Sequence, residues 1–344
     1  MSLKNLSVRK RIPKHLLNKL DNTRINRIYK KFERHFNLKN DFLVAVSGGP
    51  DSIALAFLAR IYAYKNSLNS HFFIVDHGLR KESSAEAKEV QKVLRKNFIN
   101  LKILVWRGKK PSKNIQALAR KKRYELLFKK CKKLKVDNVI LGHHKNDLIE
   151  NFIIRVSRGS GLQGLTSLNT KTIINEVKLI RPLLYTNKKD LIFIASYVFD
   201  YFIIDPSNYN ENFRRIKIRR VLEELKNEGL NVDKILLTIQ NLKYTSDSID
   251  FYVKKNMKKN TSLSKDKSKF LLSKNFFQQS SEVNFRSLSL ALKIVGKKYY
   301  STRGKKIEKI IAKIKNGSHF KETLGGCLVE TFNNTIILSK EKNI

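Results

Sequence analysis

The sequence predicts an α/β protein: a doubly wound parallel sheet, a helical middle segment and a small α+β C-terminal domain. Three observations predict this fold. Short apolar runs recur along the first half of the chain, and helical stretches separate them. Several of these runs end directly in turns rich in Gly, His or Asp. Apolar runs of this kind are typical of parallel strands that are buried on both faces and connected by helices.

The predicted elements follow in chain order. A basic, helical pattern covers residues 1–40, and strands then alternate with helices. The strands are predicted at 42–46, 71–75, 101–106 and 136–141, and the longer helices at 114–134, 146–157 and 187–199. A turn at 202–208 closes this part of the chain. Ligands of such sheets bind at the carboxyl ends of the strands, so we expect a site there.

The chain is predicted to have three segments. Residues 1–212 form the catalytic domain with its basic N-terminal extension, and 213–268 form a helical connecting region that ends in a polar linker. Residues 269–344 form the small C-terminal domain. Within it we expect helices at 285–295 and 304–315 and strands at 327–331 and 335–338.

Charge sets the class of partner. The 344 residues contain 71 Lys and Arg against 29 Asp and Glu, which gives a net charge of +42. Both the first 250 residues and the remainder are cationic, so an extended polyanion such as nucleic acid is the expected partner. Lys, Asn and Ile are abundant throughout, and a compositional bias of an AT-rich genome explains part of this excess without any binding role.

Cysteine usage and hydropathy limit the other classes. Two cysteines, Cys131 and Cys327, cannot form a disulfide framework, a cluster site or a structural zinc site. No apolar run approaches the length of a membrane span, and no secretory signal pattern is present. The expected location is the cytoplasm, with no membrane partner.

The strongest motif is SGGPDS, between the first predicted strand and its helix. Two glycines let the backbone turn tightly, and the helix N-terminus favours phosphate. Pro suits the first helical turn, and the two serines can donate hydrogen bonds. Asp51 would repel phosphate unless a cation intervenes, so it is predicted to bind Mg²⁺. The alternative is an ordinary capped turn. The residues concerned are Ser47, Gly48, Gly49, Pro50, Asp51 and Ser52.

Taken in order, the motifs resemble a known family. SGGPDS is similar to the PP-loop of the N-type ATP pyrophosphatases. VDHGLR, NIQALARKKRY, LGHHKNDLIENFIIRVSRGSGLQGL, RPLL and DPSN with NFRRIKIR follow in the order seen in tRNA(Ile)-lysidine synthases. The resemblance is strong over about 40–220. It continues at 285–331, which is similar to that family's tRNA-binding module.

This resemblance implies an ATP- and Mg²⁺-dependent ligase. It would activate C2 of the wobble cytidine of an isoleucine tRNA with a CAU anticodon, and free lysine would then attack, releasing AMP. Decoding would change from AUG to AUA. The partners implied are that tRNA and free L-lysine, and the family loosely suggests a homodimer.

The same resemblance implies the site residues. Asp76, His77 and His144 would contact the nucleotide, with His143 beside them. Asp147 and Glu150 share a helix face and would hold lysine or accept its proton. For these, ordinary packing, capping or a solvated helix start is the alternative. Most of the many Lys and Arg side chains are expected to be solvated surface charges. Only their positions in the motifs favour catalytic roles for Arg120 and Arg219.

Some positions depart from the family pattern. Asn146, Leu148 and Asn151 stand where Asp, Gln and Thr are usual, which puts a metal role for position 146 in doubt. Two other functions stay open. A PP-loop tRNA thiolase is disfavoured because its relatives usually carry paired cysteines. A basic RNA-binding protein with an inactive ATP site is opposed by the intact SGGPDS motif.

Overall fold

The computed structural model describes residues 14–108, 114–204, 214–264, 269–297, 304–333 and 335–341. The chain divides into two compact units, one ending at Leu236 and the other beginning at Leu237. This boundary lies inside the predicted connecting region. The DPSN turn and the start of the NFRRIKIR motif lie outside the described residues.

The first unit is built on a six-stranded sheet in the order β3-β2-β1-β4-β6-β5. Five strands are parallel, and β5 pairs antiparallel with β6 at one edge. The predicted parallel sheet is therefore confirmed, with an added antiparallel edge. The strands are β1 Phe42–Val46, β2 Ser70–Asp76, β3 Leu101–Val105, β4 Asn138–Ile140, β5 Lys171–Ile174 and β6 Val177–Ile180.

Helices cover both faces of this sheet, as the alternation of side chains along the strands requires. In β1, Phe42 and Val44 belong to one buried cluster, which includes residues of α2, α3, α4 and α8, while Leu43 belongs to a second cluster with α5. The helices of this unit are α1 Lys14–Asn18, α2 Thr23–His35, α3 Pro50–Lys65, α4 Ser83–Lys96, α5 Ile115–Leu134, α6 Lys145–Val156, α7 Leu162–Leu165, α8 Lys188–Phe199 and α9 Arg214–Asn227.

The second unit contains a five-stranded antiparallel sheet in the order β7-β8-β11-β10-β9. Helix α10 (Val232–Asn260) provides most of its length to this unit, together with α11 (Ser281–Gly296) and α12 (Gly304–Lys315). Two of the five strands were predicted. The strands are β7 Thr261–Leu263, β8 Lys269–Leu272, β9 Lys321–Leu324, β10 Cys327–Phe332 and β11 Thr335–Lys340.

Buried polar groups join α10 to α11 within the second unit. Arg286 is almost fully buried and donates to Asp250, Ser246 and Glu282 over 2.8–3.0 Å. Asn256 donates to the carbonyl of Phe276 at 3.1 Å and to a serine hydroxyl of α11 at 3.0 Å. Since buried polar groups need partners, these bonds hold one face of α10 in register with its neighbours. Among the described helices, none has the length and apolar character of a membrane span.

Candidate active site

The SGGPDS segment forms the connection from β1 to α3. Gly49 is the N-cap of α3 and Pro50 occupies the first helical turn, as predicted. The Ser52 hydroxyl accepts from the backbone N–H of Ser47 at 3.0 Å and donates to the carbonyl of Gly49 at 3.0 Å. The Ser47 hydroxyl lies 3.2 Å from it. The two serines therefore brace the loop and fix the N-terminus of a 16-residue helix at the strand end.

Gly48 is favoured by its backbone conformation, and a larger residue there would also displace neighbouring side chains. Its φ is +88°, and a Cβ there would lie 2.7 Å from Ile203 Cδ1 and 3.0 Å from Val90 Cγ2. Its carbonyl accepts from the backbone N–H of Ile203 at 2.9 Å. The segment after α8 thus packs directly on the loop, and the left-handed φ favours glycine at this position.

Gly142 is a site residue that our sequence reasoning missed. It follows β4, and a Cβ there would lie 3.3 Å from the backbone C and O of Asp51 and from the N of Ser52. The end of β4 therefore approaches the first turn of α3 closely. The signal that could have found it is a glycine directly after a buried strand, which marks a close backbone approach.

The structure brings together three of the predicted residues: Asp51, His144 and Asp147. His144 Nε2 lies 3.5 Å from Asp51 Oδ2 and 3.6 Å from Asp147 Oδ2. His144 is 3% exposed, and Asp51 and Asp147 are 26% and 15% exposed. A buried imidazole thus stands between two carboxylates that come from different helices.

His144 is also the N-cap of α6. Its Nδ1 accepts from the backbone N–H of Asn146 at 3.2 Å, and its own backbone N–H donates to Asp147 Oδ2 at 3.0 Å. In the neutral tautomer that this bond selects, Nε2 carries the proton and faces Asp51. Burial alone would lower the pKa of His144, but the hydrogen bond to Asp51 and the charges of Asp147 and Asp51 raise it. The capping role that was the alternative for His144 is therefore present, and its predicted contact with the nucleotide stays a prediction.

His143 and Asp147 are held in different charge states. The pKa of His143 is lowered to about 3, chiefly by burial; the charge of Asp147 opposes this shift, and the charges of Arg181, Arg120 and Arg215 contribute to it. Burial opposes ionisation of Asp147, but the charge of His144 and the backbone N–H that it donates hold the pKa of that carboxyl below its ordinary value. At neutral pH the pair is thus a neutral imidazole and a carboxylate.

Glu150 is bound by Arg219. Arg219 Nε lies 2.6 Å from Oε1 and Nη2 lies 3.3 Å from Oε2, while Glu150 is buried and Arg219 is one-third exposed. Burial opposes the charge of Arg219, but Glu150 raises its pKa above the ordinary value. Two predicted residues from α6 and α9 therefore form a bidentate ion pair, a geometry that arginine favours.

Asp76 is bonded within its own loop. Its carboxylate accepts from the backbone N–H of Gly78 at 2.8 Å and from the hydroxyls of Ser83 and Ser84 at 3.0 and 2.5 Å. Burial opposes ionisation, yet the bonds from Ser84, Gly78 and Ser83 lower its pKa. Asp76 therefore orders the turn after β2. The predicted contact of Asp76 with the nucleotide stays a prediction.

His77 lies beside a half-buried arginine of α5 to which no specific role was assigned from the sequence. Arg123 Nε donates to His77 Nε2 at 3.4 Å, and the ring of His77 meets that of Trp106 edge-on at 6.0 Å. Arg120, one turn earlier in α5, is exposed and donates to the hydroxyl of Tyr124 at 3.1 Å. Hence α5 directs one arginine toward the turn after β2 and leaves the other accessible to a ligand.

Arg181 is a further buried cation that received no role from the sequence. It follows β6 and donates through Nη1 to the carbonyl of Asn169 at 2.8 Å and to the hydroxyl of Thr172 at 2.9 Å. Its charge is one of those that keep His143 neutral. The RPLL motif therefore supplies a fixed positive charge near the two histidines.

A divalent cation fits the site at Asp51. Its Oδ1 is buried and accepts no hydrogen bond from any described group. No group of three or more metal-ligating side chains occurs among the described residues. Mg²⁺ is often coordinated by one or two carboxylates together with water and substrate phosphates. One carboxylate beside a phosphate-binding loop is consistent with this coordination. Asn146 provides only its backbone N–H to this region in the contacts described.

The glycine loop lies at the end of a central parallel strand, and the carboxylate of the following helix faces the end of a neighbouring strand. This arrangement defines a PP-loop protein. A family model described as PP-loop domain matches residues 17–225. The chain is also similar to curated tRNA(Ile)-lysidine synthases. That of Wolbachia pipientis wMel is 31% identical over 309 residues, covering 88% of this chain and 71% of the relative. That of Rickettsia akari (strain Hartford) is 32% identical over 327 residues, covering 91% and 74%.

The chain belongs to the tRNA(Ile)-lysidine synthase family. Among solved structures, it is similar to the U34-tRNA thiolase NcsA from Methanococcus maripaludis, with a TM-score of 0.53 and 17% identity, covering 64% of this chain and 78% of that chain. At that identity the similarity shows the fold alone. The family model and the two curated relatives confirm the family predicted from the motifs.

Proposed function

We propose that the protein ligates free lysine to C2 of the wobble cytidine in an isoleucine tRNA with a CAU anticodon, at the expense of ATP. The observation that carries this proposal is the adjacency of Asp51, His144 and Asp147 at the PP-loop. A phosphate-binding loop and a second carboxylate at one strand edge suit adenylation followed by attack of an amine. Its membership of the family supports the choice of substrate.

The first step is activation of the cytidine by ATP. The cytidine O2 attacks the α-phosphorus, pyrophosphate leaves, and C2 becomes electrophilic. The N-terminal end of α3, held by Ser47 and Ser52, carries the positive end of the helix dipole toward the phosphates. Mg²⁺ bound at Asp51 would neutralise part of the charge on the leaving group. His144, which donates from Nε2 toward Asp51, orients that carboxylate.

The second step is attack by the lysine amine, with AMP as the leaving group. Asp147 is ionised at neutral pH and is the carboxylate best suited to bind an ammonium group of lysine, because Glu150 is bonded to Arg219. The attacking amine must be neutral. Desolvation beside the neutral His143 favours loss of its proton.

The remaining parts of the proposal concern binding and location. The net charge of +42 favours capture of tRNA, with Arg120 exposed near the site and the segment 269–344 as the tRNA-binding module. Both cysteines are buried free thiols, which fits a reducing compartment such as the cytoplasm. A homodimer stays part of the proposal on the family resemblance alone.

Incorporation of labelled lysine tests the function directly. The folded protein is incubated with ATP, Mg²⁺, labelled lysine and a transcript of the CAU-anticodon isoleucine tRNA, and methionine tRNA with the same anticodon runs in parallel. We expect label in the isoleucine tRNA only, together with release of AMP. No label in either transcript would refute the proposal.

Asp51→Asn tests the assigned chemistry. We expect ATP–pyrophosphate exchange in the presence of tRNA to fall by about 100-fold or more, since charge stabilisation of this kind is worth that much. Glu89→Gln, an exposed carboxylate of α4, is the control and should leave exchange unchanged. The affinity for tRNA should stay within about twofold for both variants, and an equal loss of tRNA binding by Asp51→Asn would contradict the assigned role.

A further inference from the structure

Helix α10 carries an exposed apolar face within the second unit. Leu237, Tyr244, Phe251 and Tyr252 are 57%, 60%, 62% and 53% exposed. The opposite face of the helix is buried through residues such as Val253, so the helix is firmly packed on one side only. Large side chains exposed in a row on one element mark an interaction surface more often than isolated ones do.

The three most exposed residues lie on one line. Leu237, Tyr244 and Phe251 are spaced by seven residues, which places them two turns apart with a rise of about 10 Å between neighbours. Tyr252 flanks this line, and its ring meets that of Phe251 edge-on at 5.4 Å. The Tyr244 hydroxyl accepts from Gln240 Nε2 at 2.6 Å, which orients its ring. We call Tyr244, Phe251 and Tyr252 the aromatic stripe.

A cluster of positive charge follows the aromatic stripe along the helix. All its members are exposed, and the first two lie within one turn of Phe251. Of the acidic residues near the stripe, Asp250 is paired with the buried Arg286, so Asp247 is the acidic side chain beside the stripe. The local field is therefore positive. We call this set the lysine cluster: Lys254, Lys255, Lys258 and Lys259.

The pattern favours RNA over a second copy of this chain. A coiled-coil seam needs apolar residues at two positions of each heptad, but the positions four residues after Leu237, Tyr244 and Phe251 are Asn241, Ser248 and Lys255. The net charge of +42 also opposes self-association. Aromatic rings beside lysines are the combination that binds unpaired nucleotides, through stacking on the bases and contact with the phosphates.

We propose that the aromatic stripe and the lysine cluster of α10 form a docking surface for unpaired nucleotides of the tRNA. Phe251 and its neighbouring rings stack on exposed bases, and the lysines contact the adjoining phosphates. The inference rests on the proposed function in one respect, the identity of the RNA. It adds a binding surface outside the segment 269–344, to which tRNA binding was assigned.

Aromatic substitutions test the stacking. Phe251→Ala should weaken binding of the tRNA transcript by about fivefold or more, as loss of one stacked base does, and Phe251→Trp should retain the affinity. Phe251→Leu, which keeps apolar area without a ring face, should behave like Phe251→Ala. Phe332→Ala is the matched control, because Phe332 is 64% exposed in the same unit. It should leave the dissociation constant unchanged.

Charge substitutions test the phosphate contacts. The double variant Lys255→Gln, Lys259→Gln should weaken binding and reduce the slope of log K against log salt by about 1 to 2, since each phosphate contact contributes about 0.7 to 0.9. The control is the double variant Lys129→Gln, Lys133→Gln, because these two lysines are exposed on α5 and have the same spacing. The Phe251 variants should change the affinity without changing the slope.

The outcomes separate this proposal from its alternatives. Unchanged tRNA affinity for Phe251→Ala, or an equal loss for Phe332→Ala, would overturn it. If Phe251→Ala instead converted a sedimenting dimer to a monomer with tRNA affinity intact, the surface would be a contact between copies. Failure of the proposed function appears differently, as absence of lysine incorporation by the unsubstituted protein whatever the effect of the α10 variants on binding.

Discussion

Arg219 engages both carboxylate oxygens of Glu150, with Nε 2.6 Å from Oε1 and Nη2 3.3 Å from Oε2. Glu150 lies on α6 and is buried, whereas Arg219 lies on α9, 69 residues later. The ion pair therefore joins two helices beside the strand ends. The two carboxylates of α6 therefore have different partners, because Asp147 accepts from the backbone N–H of His144 instead of from an arginine.

Removal of Arg219 should destabilise the protein. In Arg219→Ala, Glu150 would remain buried without its partner, and we expect the free energy of unfolding to fall by about 1–3 kcal/mol. The double variant with Glu150→Gln should recover part of that loss, because it removes the uncompensated charge. Urea denaturation followed by circular dichroism measures both.

Arg220 provides the matched control on the same helix. It pairs with Glu224 at 3.3 Å, and both side chains are about two-thirds exposed. Arg220→Ala should therefore change the free energy of unfolding by less than about 0.5 kcal/mol. Equal effects of the two substitutions would show that the Glu150 pair contributes no more than a surface pair.

Substitutions of His144 should separate its capping role from its contact with Asp51. His144→Ala removes the acceptor for the Asn146 N–H and should lower the free energy of unfolding by about 1 kcal/mol. His144→Asn keeps a good capping residue but is too short to reach Asp51 as Nε2 does. We expect near-normal stability for His144→Asn, with ATP–pyrophosphate exchange reduced as in His144→Ala. Normal exchange in His144→Asn would mean that the Asp51 contact is dispensable.

Gly48→Ala should affect stability more than Gly49→Ala. Gly48 has a φ of +88° and no room for a Cβ beside Ile203, whereas Gly49 has a φ of −72° with nothing within 4 Å. Left-handed strain alone costs about 1–2 kcal/mol, and the contact with Ile203 adds to it. Gly49→Ala should cost about 1 kcal/mol or less, as loss of a favourable N-cap residue does.

Thermal or urea unfolding of the two glycine variants measures this difference. Adding Ile203→Ala to Gly48→Ala should recover the part of the loss that comes from the steric contact and leave the backbone strain. If the second substitution only lowered stability further, the predicted contact between the loop and Ile203 would be wrong.

The cysteines should be chemically inert in the folded protein. Burial and, to a smaller extent, the charge of Asp137 raise the pKa of Cys131 to about 12, so the thiol stays protonated at pH 8. Cys327 is also buried and its Sγ lies 3.3 Å from the carbonyl of Leu292. Iodoacetamide at pH 8 should modify neither thiol until urea is added. Rapid modification of the native protein would contradict this assignment and would favour sulfur chemistry.

Local sequence was sufficient to predict the helices and strands whose apolar pattern is continuous along the element. The strand at 42–46 and the helix at 304–315 appear at the predicted limits, because the strand is a continuous apolar run buried on both faces and the helix buries Ile307 and Ile310 on one face. The strands β5, β6, β7, β8 and β9 were not predicted. They are only three or four residues long, so each exists by virtue of its partner strand more than by its own composition.

The sequence predicted the individual residues of the candidate site, and the tertiary structure decided which of them contact one another. The SGGPDS segment by itself determined a braced turn, an N-terminal proline and a carboxylate in the first turn of α3, because glycine and proline restrict the backbone locally. The motif order determined the family. Only the tertiary structure decided that His144 faces Asp51, that Arg219 takes Glu150 and that Asp76 is bonded within its own loop. These contacts join residues that are distant in sequence or that compete for partners, and side-chain geometry in the folded chain selects among them.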